Sequence, residues 1–376
     1  MVLQELKKIW TPMRMALLIL VSALMYASLL SPIIRRFDSG GGGFDAFQEK
    51  LRISKEWTKN YGDTIEPEEF SEIEKGFEEI IGQIGENMSQ KEIFNECGVG
   101  SYEEFLVYET NAVNGKEGFD YEKYKEMRDQ LFVNTSYNSV YLQEYQKMMV
   151  DYEKATVGNN AILPWEVSIY TTDFLMYLSL WCFITVLLIS APVMVNDVAS
   201  NMKKEQYSSK VGRRIYKVQY WCTVFSVLVT EITVIAAGMA IWSTTDTFVF
   251  SGAGLNSFMS LIEPALDIRY ADVFTLFIVI ALLLGIGAGS ITFCLSSRSS
   301  NVISMLMKVT PLAVVAGMYI LGLGNAFYKN NVFYGLVHIP GIEVIVAGVI
   351  AVAGVVVNMV NYKNVKKSVC RKDHCI

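Results

Sequence analysis

Two ionisable residues lie inside apolar stretches of this sequence, where charge is costly and has to have a partner or a purpose. Glu231 lies within VFSVLVTEITVIAAG, and Lys308 lies about two turns into another apolar run. A carboxylate within a membrane helix costs about 3 kcal/mol, so we expect it to face other helices. There it could line a substrate path, pair across a dimer or hydrogen-bond to a neighbouring Thr or Ser. The long stem of Lys308 can instead reach the membrane surface.

Neither residue is accompanied by a catalytic or nucleotide-binding motif. The sequence has no G-x-x-x-x-G-K-[ST], no G-x-G-x-x-G after a strand, no G-x-S-x-G and no H-E-x-x-H. Cys370, His374 and Cys375 lack zinc-site spacing and a fourth ligand, so we interpret them as part of a reduced cytoplasmic tail. We therefore do not expect an enzyme, a metal site or a cofactor on this chain. Any energy input has to come from another subunit.

Membrane-spanning helices are the elements that would position these residues. The 376-residue chain is 52% hydrophobic and 19% charged, and its apolar residues form six runs. Runs of roughly 20 residues match the hydrocarbon core of a bilayer, and lipid forces each one to be helical. The runs cover residues 15–34, 173–195, 218–242, 273–295, 302–323 and 342–360. The sequence thus predicts an all-α membrane protein with six transmembrane helices, an N-terminal interfacial helix and a mainly helical extracytoplasmic domain.

The flanking charges predict that both termini are cytoplasmic, as in a multi-pass protein of the cell membrane. Segments 1–14, 196–217, 296–301 and 361–376 carry 15 Lys and Arg residues, whereas the short loops 243–272 and 324–341 carry only Arg269 and Lys329. Short cytoplasmic loops are enriched in these cations. Arg35 and Arg36, directly after the first run, oppose this orientation. The first run could alternatively be a cleaved signal peptide.

The first 14 residues read as an amphipathic helix lying in the membrane interface. One predicted face is apolar and is opposed by Lys7 and Lys8, a pattern typical of interfacial helices. That apolar face contains Leu3, Leu6, Ile9, Trp10 and Met13.

The long block 35–172 is predicted to be an acidic helical domain outside the membrane. Residues 37–166 contain 27 acidic and 12 basic residues, a net charge of −15, which excludes a nucleic-acid binder. Predicted helices cover 67–84 and 137–154, capping boxes begin at Ser89 and Ser101, and the glycines of 40–43 form a flexible joint. The domain is either a lid or docking module, or a solvated insertion without specific chemistry.

Two further patterns concern packing and partners. Gly285 and Gly289 form a G-x-x-x-G that allows close helix approach. The loop 196–217 is short and polar, with six cations against Asp197 and Glu205. Its charge either anchors the loop on the cytoplasmic side or forms a docking element for a soluble partner.

At this loop the chain resembles the permease subunits of ABC-2-type exporters, in particular the subgroup with a large extracytoplasmic domain between spans one and two. The shared pattern is an acidic residue, a basic and polar stretch, Ser-x-x-x-Gly-Arg-Arg and then span three. The matching loop residues are Asp197, Lys203, Lys204, Glu205, Ser208, Ser209, Gly212, Arg213 and Arg214. The topology is similar over the whole chain, and the residue pattern covers about 20 positions.

The resemblance implies that loop 196–217 contains a coupling helix for a separate cytoplasmic ABC ATPase. That ATPase would hold ATP and Mg²⁺, and the permease would act as a dimer with a second copy or a paralogue. Segment 325–340 would match the family's short re-entrant helices on the outer side. The remaining implied contacts are with membrane lipid, and the resemblance does not select the cargo.

Two alternatives remain open at the level of sequence. One is an ATPase-independent membrane scaffold of a secretion or receptor system, which can share the layout of one span, a large domain and five spans. The other is a peptide-sensing or immunity permease that uses its outer domain as a sensor.

Overall fold

The computed structural model describes residues 1–38, 46–66, 68–73, 75, 159–199, 215–260, 264, 268–322 and 341–372. Within these residues the chain is helical, with isolated bridges but no strand. The named helices are α1 (Val2–Ile9), α2 (Pro12–Met25), α3 (Ser31–Ile34), α4 (Ala46–Tyr61), α5 (Trp165–Ser190), α6 (Pro192–Ala199), α7 (Ile215–Trp242), α8 (Tyr270–Ser297), α9 (Val302–Gly322) and α10 (Ile342–Lys372).

Six helical segments of the described residues are long and apolar enough to cross a membrane, which confirms the predicted number of spans at that level. They cover Pro12–Ile34, Trp165–Val198, Ile215–Thr245, Tyr270–Ser297, Val302–Gly322 and Ile342–Lys363. Each overlaps one predicted run. Only a small part of the first and fifth segments is buried inside the chain. Most of their exposed side chains are apolar, as lipid-facing side chains are. These observations define an α-helical, multi-pass membrane protein.

The predicted N-terminal helix over 1–14 is divided in the structure. Helix α1 ends at Ile9, and Pro12 begins α2 while the Thr11 hydroxyl accepts a hydrogen bond from the Arg14 amide. Thr at the N-cap and Pro at the first helical position are a strong start signal. Residues 12–14 therefore belong to the first spanning segment.

Two prolines shape the spanning segments near their ends. A π-helical turn, Tyr26–Leu30, precedes Ser31-Pro32, and α5 stops at Ser190 before Pro192 opens α6. Proline removes a backbone donor and its ring crowds the carbonyl one turn earlier. The wider turn before Pro32 and the new helix at Pro192 accommodate these two constraints.

A close helix contact joins α8 to α10 through glycine. A Cβ atom on Gly354 would lie 2.6 Å from the Gly287 carbonyl oxygen, and one on Gly287 would lie 2.8 Å from the Ile350 carbonyl oxygen. Only hydrogen fits between backbones at that distance. Helix α10 continues to Lys372, beyond the predicted span.

The chain divides into two compact units, of which the second comprises 39–168 and 249–261. In its described part, Ile53 and Trp57 of α4 pack with Ile65, Ile73, Ile162, Phe258 and Met259. Ala161 bridges to both Thr64 and Ser257. The sequence treated 35–172 and the loop after α7 as separate segments, but Phe258 and Met259 of that loop belong to the core of the second unit.

Most of the predicted insertion is not covered by this description. Residues 68–73 and 75 of the predicted helix 67–84 are helical. The remainder of that helix, helix 137–154, the capping boxes at Ser89 and Ser101, the glycines of 40–43 and segment 325–340 lie outside the described residues.

Candidate functional site

The N-terminal helix and both ends of loop 196–217 meet in a group of polar side chains, which we call the anchor cluster: the buried Glu5, Asp197 and Gln219 and the half-buried Lys8. The Gln219 amide nitrogen donates to Asp197 Oδ2 at 2.7 Å and to Glu5 Oε2 at 3.0 Å. The Lys8 ammonium lies 3.0 Å from Glu5 Oε1 and 3.5 Å from Asp197 Oδ1. One amide and one ammonium thus bridge two carboxylates that belong to different elements.

The local sequence explains how α1 contributes to this cluster. Glu5 and Ile9 are one turn apart, and both are buried, with exposed fractions of 5% and 1%. Leu3 and Met13 of the predicted apolar face are exposed, at 69% and 84%, as side chains directed at lipid are. The face directed at α7 is therefore partly polar because Gln219 offers Glu5 a partner there.

Further hydrogen bonds fasten the N-terminal segment to α7. The Trp10 indole N–H donates to Ser226 Oγ at 3.1 Å, and the Cys222 thiol lies 3.9 Å from the Val2 carbonyl oxygen. Arg14 donates from Nη1 to the Ile9 carbonyl at 3.2 Å and so bridges the break between α1 and α2. Helix α1 is thus held at its start, its middle and its end.

Asp197 reaches the cluster because α6 is itself held by α8. The Ser296 hydroxyl accepts hydrogen bonds from the Met194 and Val195 amides, at 3.2 and 3.0 Å. These are among the first amides of α6, which have no carbonyl partner inside the helix. The bonds fix the direction of α6 and therefore the position of Asp197 near its end.

The two carboxylates of the cluster stabilise the charged form of Lys8. Burial disfavours the charged ammonium of Lys8, but the hydrogen bond to Glu5 and the attraction of Asp197 outweigh it and raise the pKa of Lys8. Lys8 therefore stays protonated at physiological pH and attracts both carboxylates.

Of the predicted coupling residues, only Asp197 falls in the described part of the chain. Lys203, Lys204, Glu205, Ser208, Ser209, Gly212, Arg213 and Arg214 lie outside the described residues. The sequence pointed to the loop, but it missed Glu5 and Gln219. A glutamine just inside an apolar span was the available signal, because a buried amide requires partners.

The second predicted polar residue, Glu231, is buried against a glycine rather than paired. Its side chain is fully buried, and neither carboxyl oxygen has a hydrogen-bond partner among the described residues. A Cβ atom on Gly285 of α8 would overlap the carboxyl group. Gly285 therefore makes the room that Glu231 occupies.

Two further predicted residues, Gly289 and Lys308, lie in a helix contact and at the start of a helix, respectively. A Cβ on Gly289 would lie 3.1 Å from Val227 and 3.5 Å from Val186, so this glycine sits where α5, α7 and α8 meet. Lys308 is exposed, and its ammonium donates to the Arg298 carbonyl oxygen at 2.8 Å, near the start of α9. This position agrees with a side chain that reaches out of the membrane interior.

A polar network that sequence reasoning missed joins α7, α8 and α10. Asn361 donates to the Tyr216 hydroxyl at 2.8 Å and to Ser297 Oγ at 3.0 Å, and it accepts from Arg298 Nε at 3.1 Å. Asn358 accepts from the Tyr216 hydroxyl at 3.1 Å. Two asparagines one turn apart at the end of an apolar run were the signal. The network locks α7 to α10 close to the end of loop 196–217.

The described residues contain no group of three or more His, Cys, Asp or Glu side chains that could hold a metal ion. His374 and Cys375 lie outside the description. In comparisons with known protein families, curated proteins and solved structures, nothing matched the chain.

Proposed function

We propose that this chain is the permease subunit of an ATP-driven, ABC-2-type exporter that works as a dimer and is coupled to a separate cytoplasmic ATPase through loop 196–217. The anchor cluster is the observation that carries the proposal. Glu5, Asp197 and Gln219 join α1 to the beginning and the end of the loop through hydrogen bonds of 2.7 and 3.0 Å.

Such an arrangement suits a loop that receives force. Asp197 is at the end of the segment that contains α5, and Gln219 is in the first turns of α7. A displacement of the loop therefore acts on two spanning helices and on α1 together. Buried hydrogen bonds to charged groups are short and tolerate little change in distance or angle. A movement of one element would therefore move the elements bonded to it.

The charge of the loop supports a protein partner with an acidic surface. The sequence of 196–217 has six cations and only two acidic residues, Asp197 and Glu205. This excess of positive charge would complement an acidic surface on a partner. ATP and Mg²⁺ would be bound by that partner, and this chain would supply the path through the membrane.

The test is purification of the full-length, tagged protein from its native membranes in mild detergent. The expected preparation contains a second protein and hydrolyses ATP in a vanadate-sensitive manner. The double variant Arg213→Glu/Arg214→Glu is expected to lose both the second protein and the hydrolysis, because the loop's charge is reversed.

The matched control is Arg371→Glu/Lys372→Glu, which makes the same charge change at the end of α10. It should retain the ATPase. A wild-type preparation that is active in cells yet has neither a partner nor ATP hydrolysis contradicts the proposal and favours a membrane scaffold.

A further inference from the structure

An open apolar groove of about 1070 Å³ lies between α2, the α5–α6 junction and α9. This volume is at the upper end of the roughly 300–1,000 Å³ typical of ligand sites. Leucines line it from three sides, among them Leu17 of α2, Leu187 of α5 and Leu306 of α9. Leu17 and Leu306 are 43% and 53% exposed, so the protein itself does not fill the space.

The length of the groove corresponds to one leaflet of a bilayer. On α9 its lining runs from Met305 to Ala313, and on α2 from Thr11 to Leu20. At 1.5 Å per residue these stretches are about 12 and 14 Å long, close to half of the ~30 Å hydrocarbon core. An acyl chain of one leaflet fits this length, whereas a spanning helix of a second copy would need twice as much.

The polar residues of the lining collect at one end. Lys8, Thr11 and Arg14 approach from the N-terminal segment, and Asn196 and Asp197 approach from the end of α6. Beyond this end the lining is apolar except for Thr310, whose hydroxyl donates to the Leu306 carbonyl of its own helix. The groove is thus amphiphilic along its length.

Of the two cations at the polar end of the groove, Arg14 is the one that could bind a ligand. Lys8 is shared by Glu5 and Asp197, so it is already engaged within the cluster. The Arg14 guanidinium has one hydrogen bond, to the Ile9 carbonyl oxygen, and no ion pair among the described residues. A guanidinium has five N–H donors in a fork that matches phosphate oxygens. With Glu5, which contacts Lys8, the charged side chains at this end sum to zero: Lys8 and Arg14 against Glu5 and Asp197.

We propose that this groove binds an anionic glycerophospholipid, with its phosphate on Arg14 and its acyl chains between α2, α5 and α9. The Arg14 guanidinium, which has no ion pair among the described residues, favours a headgroup without a cation of its own, because the cationic end of a zwitterionic lipid adds repulsion. This site is independent of the ATPase proposed above.

The test measures lipid binding to the delipidated full-length protein by native mass spectrometry. The probes are phosphatidylglycerol and phosphatidylcholine with identical acyl chains. We expect wild type to prefer phosphatidylglycerol. Arg14→Gln is expected to weaken that binding about tenfold, as loss of a charge-assisted pair does. Arg35→Gln removes an exposed cation from the other end of the same spanning segment and should leave binding unchanged.

A second pair of variants tests the acyl part of the site and remains informative if Arg14→Gln does not fold. Leu17→Trp is expected to fill the groove and to reduce binding of both lipids, whereas Ile19→Trp, on the exposed face outside the lining, should not. Equal phosphatidylglycerol binding by Arg14→Gln and Arg35→Gln overturns the headgroup assignment. If Leu17→Trp binds both lipids as wild type does, the groove is not the lipid site. If Leu17→Trp changes the oligomeric state and not the lipid binding, the groove is an interface between copies and the proposal is wrong.

Discussion

Glu5 and Glu231 are both buried carboxyl groups, but the chain treats them in opposite ways. Glu5 is 5% exposed and engages Lys8 and Gln219, each at 3.0 Å. Glu231 is fully buried, and its two oxygens have no hydrogen-bond partner among the described residues. One is held by polar partners from other elements, and the other is accommodated by the missing side chain of Gly285.

The paired carboxyl of Glu5 stabilises the fold, whereas the unpaired carboxyl of Glu231 lowers the free energy of unfolding. Paired carboxylates define a geometry, and removing one of their partners leaves a buried charge exposed to apolar surroundings. An unpaired buried carboxyl lowers the free energy of unfolding, so folding alone gives no reason for it. Glu5 therefore has a structural role in the anchor cluster, and Glu231 is the candidate for a role in the permeation path.

The largest expected effect comes from removing the bridge in the anchor cluster. Gln219→Leu leaves the Glu5 and Asp197 carboxylates buried without the amide that bridges them. We expect the free energy of unfolding in detergent to fall by about 3 kcal/mol. Phe225→Leu, at an exposed position on the same helix, is the control and should change it by less than about 0.5 kcal/mol. If Gln219→Leu and Phe225→Leu lower the free energy of unfolding equally, the anchor cluster does not stabilise the protein.

The fit between Glu231 and Gly285 is tested by a double-mutant cycle. Gly285→Ala adds a methyl group where the carboxyl lies, and we expect a loss of about 2 kcal/mol in the free energy of unfolding. Adding Glu231→Ala should recover part of that loss, because the methyl then has space. Gly348→Ala, whose Cβ meets nothing within 4 Å, is the control. Additive effects would show that the two residues do not share this space.

Replacing each glutamate by methionine should change the free energy of unfolding in opposite directions. Glu231→Met keeps a similar volume and removes the unpaired carboxyl, so we expect the free energy of unfolding to rise by about 1 kcal/mol. Glu5→Met removes a paired carboxylate and should lower it by about 1 to 2 kcal/mol. Thermal unfolding of the three proteins in one detergent measures both changes. Shifts of the same sign would refute the distinction.

Lys308 is expected to give the smallest effect. Its ammonium is exposed and reaches the Arg298 carbonyl rather than a buried partner. Lys308→Met should change the free energy of unfolding by less than about 0.5 kcal/mol in the same assay. A loss comparable with that of Gln219→Leu would mean that Lys308 supports the interior.

The sequence predicted the spanning helices because length and apolarity are local properties. Thr11-Pro12 was also readable as a helix start, although the prediction extended the first helix to residue 14. The anchor cluster was not readable in the same way. Glu5 and Gln219 are 214 residues apart, and nothing local to either residue names the other.

Packing between distant helices was predictable only in part. Gly285-x-x-x-Gly289 indicated close approach, but it did not reveal that Gly285 adjoins Glu231 or that Gly287 meets Gly354. Nor did Phe258 and Met259 reveal that a loop after α7 completes the core around Trp57. Such pairings depend on the arrangement of helices in three dimensions, which single-sequence periodicity does not contain.

We proposed that a partner ATPase acts on the membrane helices through the anchor cluster. The most direct measurement is hydrogen exchange of Val2–Ile9 in the copurified assembly, with and without ATP and vanadate. We expect nucleotide trapping to change the exchange of this helix in wild type, and we expect Gln219→Leu to abolish the change while ATP hydrolysis persists. Exchange of Val2–Ile9 that is identical in both nucleotide states of a hydrolysing wild-type assembly would contradict the proposal.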